Sequence, residues 1–182
     1  MIYEPAEDSY LLEEVVKDYL KDKNKSIKIL DMGSGSGVQA INCKNLDFEN
    51  VLAVDIDPNA IEYLEGKGLK TIMSDLFLEI NKEKKFDLIL FNPPYLPYDK
   101  REPKDSKLAT TAGEEGYEII VKFLEEAKQF LSDNAVILLL FSSLSKPKII
   151  LKSAVDFGYK YKKLKSLKLD FEELHVYEFV KC

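Results

Sequence analysis

The chain has 182 residues, of which 46% are hydrophobic and 32% are charged. These values are typical of one globular domain with a substantial core, and they exclude a disordered chain. The net charge is −6 and the pI is about 5.0, whereas a protein that binds duplex DNA unaided usually has a basic face. We therefore expect a single domain over residues 1–182 that has little direct affinity for duplex nucleic acid.

Several other classes of protein are disfavoured by particular residues. No apolar run reaches the roughly 18–20 residues that a membrane-spanning helix needs. Cys43, Cys182 and His175 are too few and too scattered to predict a metal site. The first residues lack the basic and then apolar pattern of a secretory signal, so we expect a cytoplasmic protein without a bound metal.

The first half of the chain alternates helical segments with short β-branched runs, which is the pattern of a parallel sheet. Residues 7–21 form the first predicted helix because their apolar side chains recur at helical spacing. The elements predicted next are strand 27–31, helix 36–46, strand 51–55, a helix beginning near Pro58, strand 69–73 and the almost wholly apolar strand 86–91.

The second half predicts the remaining strands. Pro93 and Pro94 end the fourth strand, and residues 93–113 are expected to form a long polar loop. The elements predicted after it are helix 114–131, a turn at 132–134, strand 135–141, helix 146–157, and strands 158–167 and 173–180. The fold class is therefore α/β, with a seven-stranded, mostly parallel sheet covered by helices on both faces.

A glycine-rich turn between the first strand and the second helix indicates a ligand site. Gly33 and Gly35 permit a sharp turn and the close approach of a ligand, but Val38 stands where a dinucleotide-binding fingerprint has its third glycine. Asp31, just before the turn, would repel a phosphate and attract an ammonium group. The pattern favours S-adenosylmethionine, which carries both an ammonium and a sulfonium.

Acidic residues at the ends of the second and third strands could contact the ribose and the adenine of S-adenosylmethionine. Asp55 ends the second strand about 20 residues after the glycines, where a carboxylate can accept hydrogen bonds from both ribose hydroxyls. Asp57, directly before Pro58, competes as the cap of the next helix. Asp75 and Leu76 could contact the adenine, although Asp75 could equally be a turn residue.

The segment Asn92-Pro93-Pro94-Tyr95 carries the predicted chemistry. A planar amide is a weak nucleophile with two N–H donors, and the Asn92 side-chain oxygen and the Pro93 carbonyl could accept both. Tyr95 could stack on the planar group. Two such hydrogen bonds would aim the nitrogen at a methyl donor without a general base.

Four segments together resemble the HemK-type (PrmC-like) class-I methyltransferases, in the short form of the archaeal and eukaryotic branch. They are residues 3–10, 31–37, 92–95 and 112–118. The resemblance implies a Rossmann-like fold and transfer of a methyl group to the glutamine of the Gly-Gly-Gln motif in class-1 translation release factors. The longer bacterial enzymes carry an N-terminal helical domain, for which the roughly two dozen residues before the first strand leave no room.

The resemblance also implies roles for single residues and a partner. It implies that residues 1–25 form an N-terminal helix and a lid over the cofactor, and that Asn92 holds the substrate amide beside the cofactor. The residues implied to contact S-adenosylmethionine are Ser9, Asp31, Asp55, Asp75 and Leu76. It further implies a heterodimer with a small zinc-binding activator subunit, which would add a strand along residues 69–73. Leu69, Ile72 and Met73 are expected to be the apolar side chains at that open edge.

Three other functions remain open at this point. A nucleic-acid adenine-N6 methyltransferase would use the same loop on another planar amine, but it usually needs a recognition domain or a basic surface. A protein lysine methyltransferase would have to deprotonate an amine whose pKa is about 10.4, and no base for that step is evident. The chain could also be an inactive binding subunit, although it keeps Asp31, Asp55 and Asn92.

Overall fold

The structure is a computed structural model that describes residues 5–94 and 115–182. Its helices are α1 (Glu7–Leu20), α2 (Val38–Asn45), α3 (Pro58–Gly66), α4 (Glu118–Ala127) and α5 (Pro147–Asp156). Its strands are β1 (Ile29–Met32), β2 (Val51–Asp55), β3 (Lys70–Met73), β4 (Phe86–Phe91), β5 (Leu131–Ser142), β6 (Tyr159–Lys168) and β7 (Glu173–Lys181).

The seven strands form one sheet in the order β3-β2-β1-β4-β5-β7-β6. The first five strands run parallel to one another, whereas β7 is antiparallel to both β5 and β6. The predicted seven-stranded, mostly parallel sheet is thus confirmed. From β1 the chain continues to β2 and β3 on one side, and it then crosses to β4 and β5 on the other side. The strand order therefore reverses between β1 and β4, and the ligand crevice is expected at the carboxyl ends of these two strands.

Helices cover both faces of the sheet, which explains why its central strands are apolar on both sides. α1, α2 and α3 pack over one hydrophobic cluster, and α4 and α5 pack over the other. Leu30 and Ile89 point into the second cluster, while Ile29 and Leu88 point into the first. This alternation buries every residue of β1 and fixes its register against β4.

Two predictions for the chain between β4 and β5 are wrong. Residues 132–134 were expected to form a turn, but they lie within β5, where the pairing with β4 is irregular. The Ser132 hydroxyl donates to Asp87 Oδ1 at 2.6 Å, so a polar side-chain contact holds this irregular stretch against β4. Helix α4 begins at Glu118 and ends at Ala127, shorter than predicted, and a single 3-10 turn follows it.

The remaining elements agree with their predicted bounds to within about two residues. Most of the predicted loop over residues 93–113, and with it Tyr95, lies outside the described residues. Among the helices that the structure describes, none is both long enough and apolar enough to cross a membrane.

Candidate active site

The predicted site residues come together because parallel strands end at the same edge of the sheet. Met32, the last residue of β1, is in register with Val54 of β2 on one side and Phe91 of β4 on the other. Asp55 therefore follows at the end of β2, and Asn92 follows directly after β4. The edge formed by β1, β2 and β4 is the crevice that this topology predicts for a ligand.

Asp31 is a buried carboxylate at the end of β1. Its Oδ2 atom accepts hydrogen bonds from the Ser34 hydroxyl at 2.5 Å and from the Ala40 backbone N–H at 3.1 Å. Burial raises the pKa of Asp31 to about 7, although these two hydrogen bonds act in the opposite direction and the nearby Asp55 adds to the rise. A cationic ligand would favour the ionised form of such a group.

Asp55 holds the glycine turn from the neighbouring strand. Its Oδ2 atom accepts from the Gly35 N–H at 2.7 Å, and its Oδ1 atom accepts from the Asp57 N–H at 2.9 Å. Asp57 itself caps α3 by accepting from the Asn59 N–H at 2.9 Å. The sequence left open which of the two acids caps α3, and the structure shows that it is Asp57.

The glycine turn is open where a ligand would approach it. Gly33 and Gly35 both have positive φ angles, of 60° and 53°. A side-chain carbon at Gly35 would meet nothing within 4 Å, whereas one at Gly33 would lie 3.2 Å from the Phe91 ring. The backbone at Gly35 is thus unobstructed, which suits a ligand that lies along the turn.

Asp75 and Leu76 both follow β3, but Asp75 lies at the surface and Leu76 is buried. Asp75 is half-exposed and its Oδ1 atom lies 3.4 Å from Lys122 Nζ, a surface ion pair that contributes little stability. Leu76 has a positive φ of 48°, a rare conformation for a residue other than glycine. Its side chain is only 6% exposed within the hydrophobic cluster under α4, so only a small part of it could contact an adenine ring.

Asn92 offers a buried hydrogen-bond acceptor to which no described residue donates. Its Nδ2 atom donates to Asp8 Oδ2 at 2.9 Å. Its Oδ1 atom is buried and has no hydrogen-bond partner within residues 5–94 and 115–182. An unsatisfied buried polar atom costs about 1–3 kcal/mol, so it needs an explanation, and a hydrogen bond to a ligand is one.

Two further predicted residues flank this amide. Pro93, the predicted second acceptor of the substrate amide, is buried next to Asn92. Ser9 is buried in the first turn of α1, where its backbone oxygen accepts from the Gln39 side chain at 2.9 Å. That bond ties α1 to α2 beside the glycine turn, so Ser9 lies close to the site, and its contact with a cofactor stays a prediction.

Asp8 is the site residue that motif reasoning did not single out. It belongs to one of the family-like segments but carried no predicted role. A sequence signal did exist, since Asp8 stands three, four and seven residues before Leu11, Leu12 and Val15. A charged residue in line with the apolar face of a helix must be buried, and a buried carboxylate needs a polar partner.

The donors and acceptors of this edge fit S-adenosylmethionine. Asp31 and Asp55 supply carboxylates at two strand ends, the turn at Gly35 leaves open space, and the Asn92 oxygen has no partner in the part of the chain that the structure describes. These groups suit a ligand that carries positive charge and hydroxyl donors. Among the described residues, no group of three or more His, Cys, Asp or Glu side chains could hold a metal ion.

Comparison with known proteins agrees with this geometry. Residues 9–165 match the family model of the methyltransferase small domain. A Methanocaldococcus jannaschii protein assigned by name to the protein N5-glutamine methyltransferases is 37% identical over 96% of this chain and 89% of its own length. The release factor glutamine methyltransferase of Leptospira interrogans is 36% identical, over 66% of this chain and 45% of its own length.

A solved structure shares both the fold and the full extent of the chain. It is that of the E. cuniculi Mtq2-Trm112 complex, responsible for methylation of the eRF1 translation termination factor. The matched chain covers 100% of this chain and 99% of its own length, with a TM-score of 0.78 and 26% identity. The family model and the Methanocaldococcus relative together show that this chain belongs to the methyltransferase small-domain family, in the branch of protein N5-glutamine methyltransferases.

Proposed function

We propose that this chain is an S-adenosylmethionine-dependent methyltransferase that modifies the glutamine of the Gly-Gly-Gln motif in a class-1 translation release factor. The Leptospira and E. cuniculi proteins bear names or titles with the same type of substrate. Translation termination is a cytoplasmic process, so we place the chain in the cytoplasm. The observation that carries the proposal is the buried Asn92 oxygen without a hydrogen-bond partner among the described residues.

The acidic residues of the edge would hold the cofactor. Asp31 suits the ammonium group because its carboxylate is buried at the end of β1, and Asp55 suits the ribose hydroxyls at the end of β2. Asp75 and a small part of Leu76 would lie against the adenine, and Ser9 against the amino-acid end. When bound, S-adenosylmethionine supplies a methyl group on a positively charged sulfur.

Asn92 and Pro93 would hold the acceptor amide. A glutamine side chain has two N–H donors, and the free Asn92 oxygen can accept one of them. The Pro93 carbonyl would accept the other, and Tyr95 would stack on the amide plane. Both hydrogen bonds would increase electron density on the nitrogen, the atom that would receive the methyl group supplied by S-adenosylmethionine.

Proton balance explains why a base is not needed before the attack. After the nitrogen has gained the methyl group, one of its N–H protons leaves to solvent, and the product is a neutral N-methyl amide. The main contribution of the protein is then to hold two reactants in line, which can lower a barrier by roughly 7–11 kcal/mol. Asn92 and Pro93 act on the amide side of that alignment.

We infer that a small zinc-binding activator subunit pairs with β3. β3 is an edge strand of the sheet, and Met73 at its end is 55% exposed. The expectation for Leu69 was wrong, because this residue precedes β3 and is buried near Gly37 and Leu64. Ile72 is half-buried, so Met73 and the backbone of β3 are what the structure offers to a partner.

The opposite edge of the sheet supports this assignment. The edge strand β6 carries five lysines, which keep a further strand away by charge and solvation. β3 has a single lysine, Lys70. Of the two edges, β3 is therefore the one that accepts another strand. In the E. cuniculi structure a chain of the same fold is likewise part of a two-protein complex.

The test is methyl transfer from labelled S-adenosylmethionine to three acceptors: the cognate release factor, a lysine-containing histone-like peptide and duplex DNA. Each acceptor is assayed with the chain alone and with its activator subunit. We expect label on the release factor, and no label when the glutamine of its Gly-Gly-Gln motif is replaced by alanine. Label confined to the lysine peptide or to DNA would overturn the substrate while leaving the fold unaffected.

A further inference from the structure

We propose that Asp8 is a positioning residue that fixes the orientation of the Asn92 side-chain amide, so that its oxygen and not its nitrogen faces the substrate. The inference rests on the proposed function, since it concerns the acceptor of the glutamine N–H. It assigns a task to the buried carboxylate in the first turn of α1. Asp8 acts through Asn92 and makes no contact with the reacting atoms.

An asparagine amide has two orientations that differ by a half-turn and have almost the same shape. Only one of them presents an acceptor to a substrate N–H. The other presents the NH2 group, which would oppose the NH2 group of glutamine donor to donor. Because Asn92 must accept, something in the protein has to select between the two orientations.

The Asp8 carboxylate makes that selection. Its Oδ2 atom accepts from Asn92 Nδ2 at 2.9 Å, which is a charge-assisted hydrogen bond. In the reversed orientation the Asn92 oxygen would face the same carboxylate, and two acceptors would repel each other at that separation. A carboxylate can only accept, so it holds the amide in one orientation, and the buried Asn92 Oδ1 atom, which has no partner among the described residues, faces a donor from the substrate.

Asp8 is itself held in place. It is 4% exposed, and its Oδ1 atom accepts from the Ser9 backbone N–H at 2.7 Å. It lies in the first turn of α1, where the positive end of the helix dipole favours a negative charge. The Gln39 side chain bonds the Ser9 backbone oxygen and ties this turn to α2. The carboxylate therefore offers a fixed reference for the amide.

The test compares Asp8→Asn with Glu7→Gln in the full chain together with its activator subunit. Both changes remove one carboxylate from the same helical turn and keep its shape, but the Glu7 side chain is exposed, whereas Asp8 is buried against Asn92. An amide at position 8 can donate as well as accept, so it no longer selects one orientation of Asn92. We expect kcat on the release factor to fall roughly 10- to 100-fold in Asp8→Asn, and to stay unchanged in Glu7→Gln.

Measuring cofactor affinity distinguishes a positioning role of Asp8 from a role in cofactor binding or in folding. We expect S-adenosylmethionine to bind Asp8→Asn within about twofold of the unchanged chain, because Asp31 and Asp55, the carboxylates proposed to hold it, lie at β1 and β2. Equal kcat in the two variants would overturn the proposal. So would a loss of cofactor affinity as large as the loss of kcat, because Asp8 would then serve the cofactor or the fold.

A spectroscopic measurement tests the proposal without turnover. The two side-chain N–H protons of nitrogen-15-labelled Asn92 should give well-separated NMR signals, one of them shifted by the Asp8 bond. In Asp8→Asn that shift should collapse, and in Glu7→Gln it should persist. If the unchanged chain leaves the release factor unmodified, the proposed function fails, while an Asn92 signal insensitive to position 8 overturns the positioning role.

Discussion

Asn92 places a buried side-chain oxygen at the end of β4, and the chemistry proposed for the chain depends on that atom. Replacing Asn92 with alanine removes the acceptor and leaves Asp31 and Asp55 in place. We expect methyl transfer to fall by roughly 100- to 1,000-fold, as is usual when one hydrogen-bonding group aimed at the reacting centre is lost. Cofactor affinity, measured by calorimetry, should be nearly unchanged.

Asn45→Ala is the matched control, because Asn45 is exposed at the end of α2, away from β4. It should retain full turnover. Near-normal turnover in Asn92→Ala would show that the amide oxygen does not hold the substrate, and the account of the acceptor pair would have to be abandoned.

Asp31 makes stability depend on pH in a predictable direction. Burial raises the pKa of this carboxyl from 3.8 to about 7 in the folded chain. Between these values the folded state holds a proton that the unfolded state has lost, so the free energy of unfolding falls as pH rises. The stabilising contribution is complete below about pH 4 and is lost as pH rises through about 7.

Denaturant unfolding of the cofactor-free chain between pH 5 and pH 8 measures this effect. We expect the slope against pH to flatten in Asp31→Asn, which has no proton to lose. S-adenosylmethionine should bind the unchanged chain more tightly as pH rises through about 7, because its ammonium group favours the ionised carboxylate. An Asp31→Asn chain with the same pH slope would contradict the assignment.

At the scale of single elements, we predict different tasks for two acids near the end of β2, with Asp57 contributing to folding and Asp55 to cofactor binding. Asp57 caps α3, and Asp55 holds the glycine turn through the Gly35 N–H. Asp57→Ala should lower the free energy of unfolding by about 1 kcal/mol and leave cofactor affinity unchanged. Asp55→Ala should weaken cofactor binding by roughly 10- to 100-fold, the range expected for hydrogen bonds to a charged group.

Calorimetric titration with S-adenosylmethionine and thermal unfolding of both variants give the comparison. The two substitutions remove the same chemical group two residues apart, so general charge effects are matched. If both variants lose cofactor affinity equally, Asp55 has no special role as the ribose acceptor.

The start of α2 provides a second matched pair. Gly37 has a φ of 79°, and a side-chain carbon there would lie 2.5 Å from the buried Leu64 side chain. Gly35 has a φ of 53° and open space around it. Both Gly→Ala changes carry a backbone cost of about 1–2 kcal/mol, but only Gly37→Ala adds an overpacking cost of about 1–3 kcal/mol.

Denaturant unfolding should therefore show Gly37→Ala as the less stable variant. Gly35→Ala should instead lower cofactor affinity, because its added methyl group projects into the space that the cofactor is proposed to use. Equal stability of the two variants would mean that Leu64 moves aside without cost.

At the scale of the whole molecule, the sheet has two different edges. β6 is protected by lysines, whereas Met73 leaves an apolar side chain exposed on β3. A charge placed at Met73 should disrupt pairing with the activator subunit, and Met73→Lys is expected to reduce the yield of heterodimer at least tenfold, an order-of-magnitude estimate for an unpaired charge at an interface. Co-purification followed by size-exclusion chromatography measures that yield.

Tyr161→Lys on β6 is the matched control, since Tyr161 is an exposed apolar side chain at the other edge of the sheet. It should assemble normally. If Met73→Lys assembles as well as Tyr161→Lys, the activator does not pair along β3, and its contact lies elsewhere on the chain.

Much of this architecture follows from the sequence alone. Apolar periodicity predicts the seven strands and most of the helices, because local spacing determines which face of a segment can be buried. Parallel strands then bring their carboxyl ends to one edge, so Asp31, Asp55 and Asn92 could be predicted to lie near each other. The segments that resemble protein-glutamine methyltransferases likewise predict the family.

Other features depend on tertiary contacts that no local pattern encodes. The bond between Asp8 and Asn92 joins residues 84 positions apart, and it exists because α1 packs beside the end of β4. Leu69 is buried because Leu64 and other members of its hydrophobic cluster pack around it, and residues 132–134 lie within β5, where the Ser132 side chain bonds Asp87 of β4. Periodicity fixes which residues face inward, whereas three-dimensional packing alone decides which of them meet, and that meeting determines the orientation of the Asn92 amide.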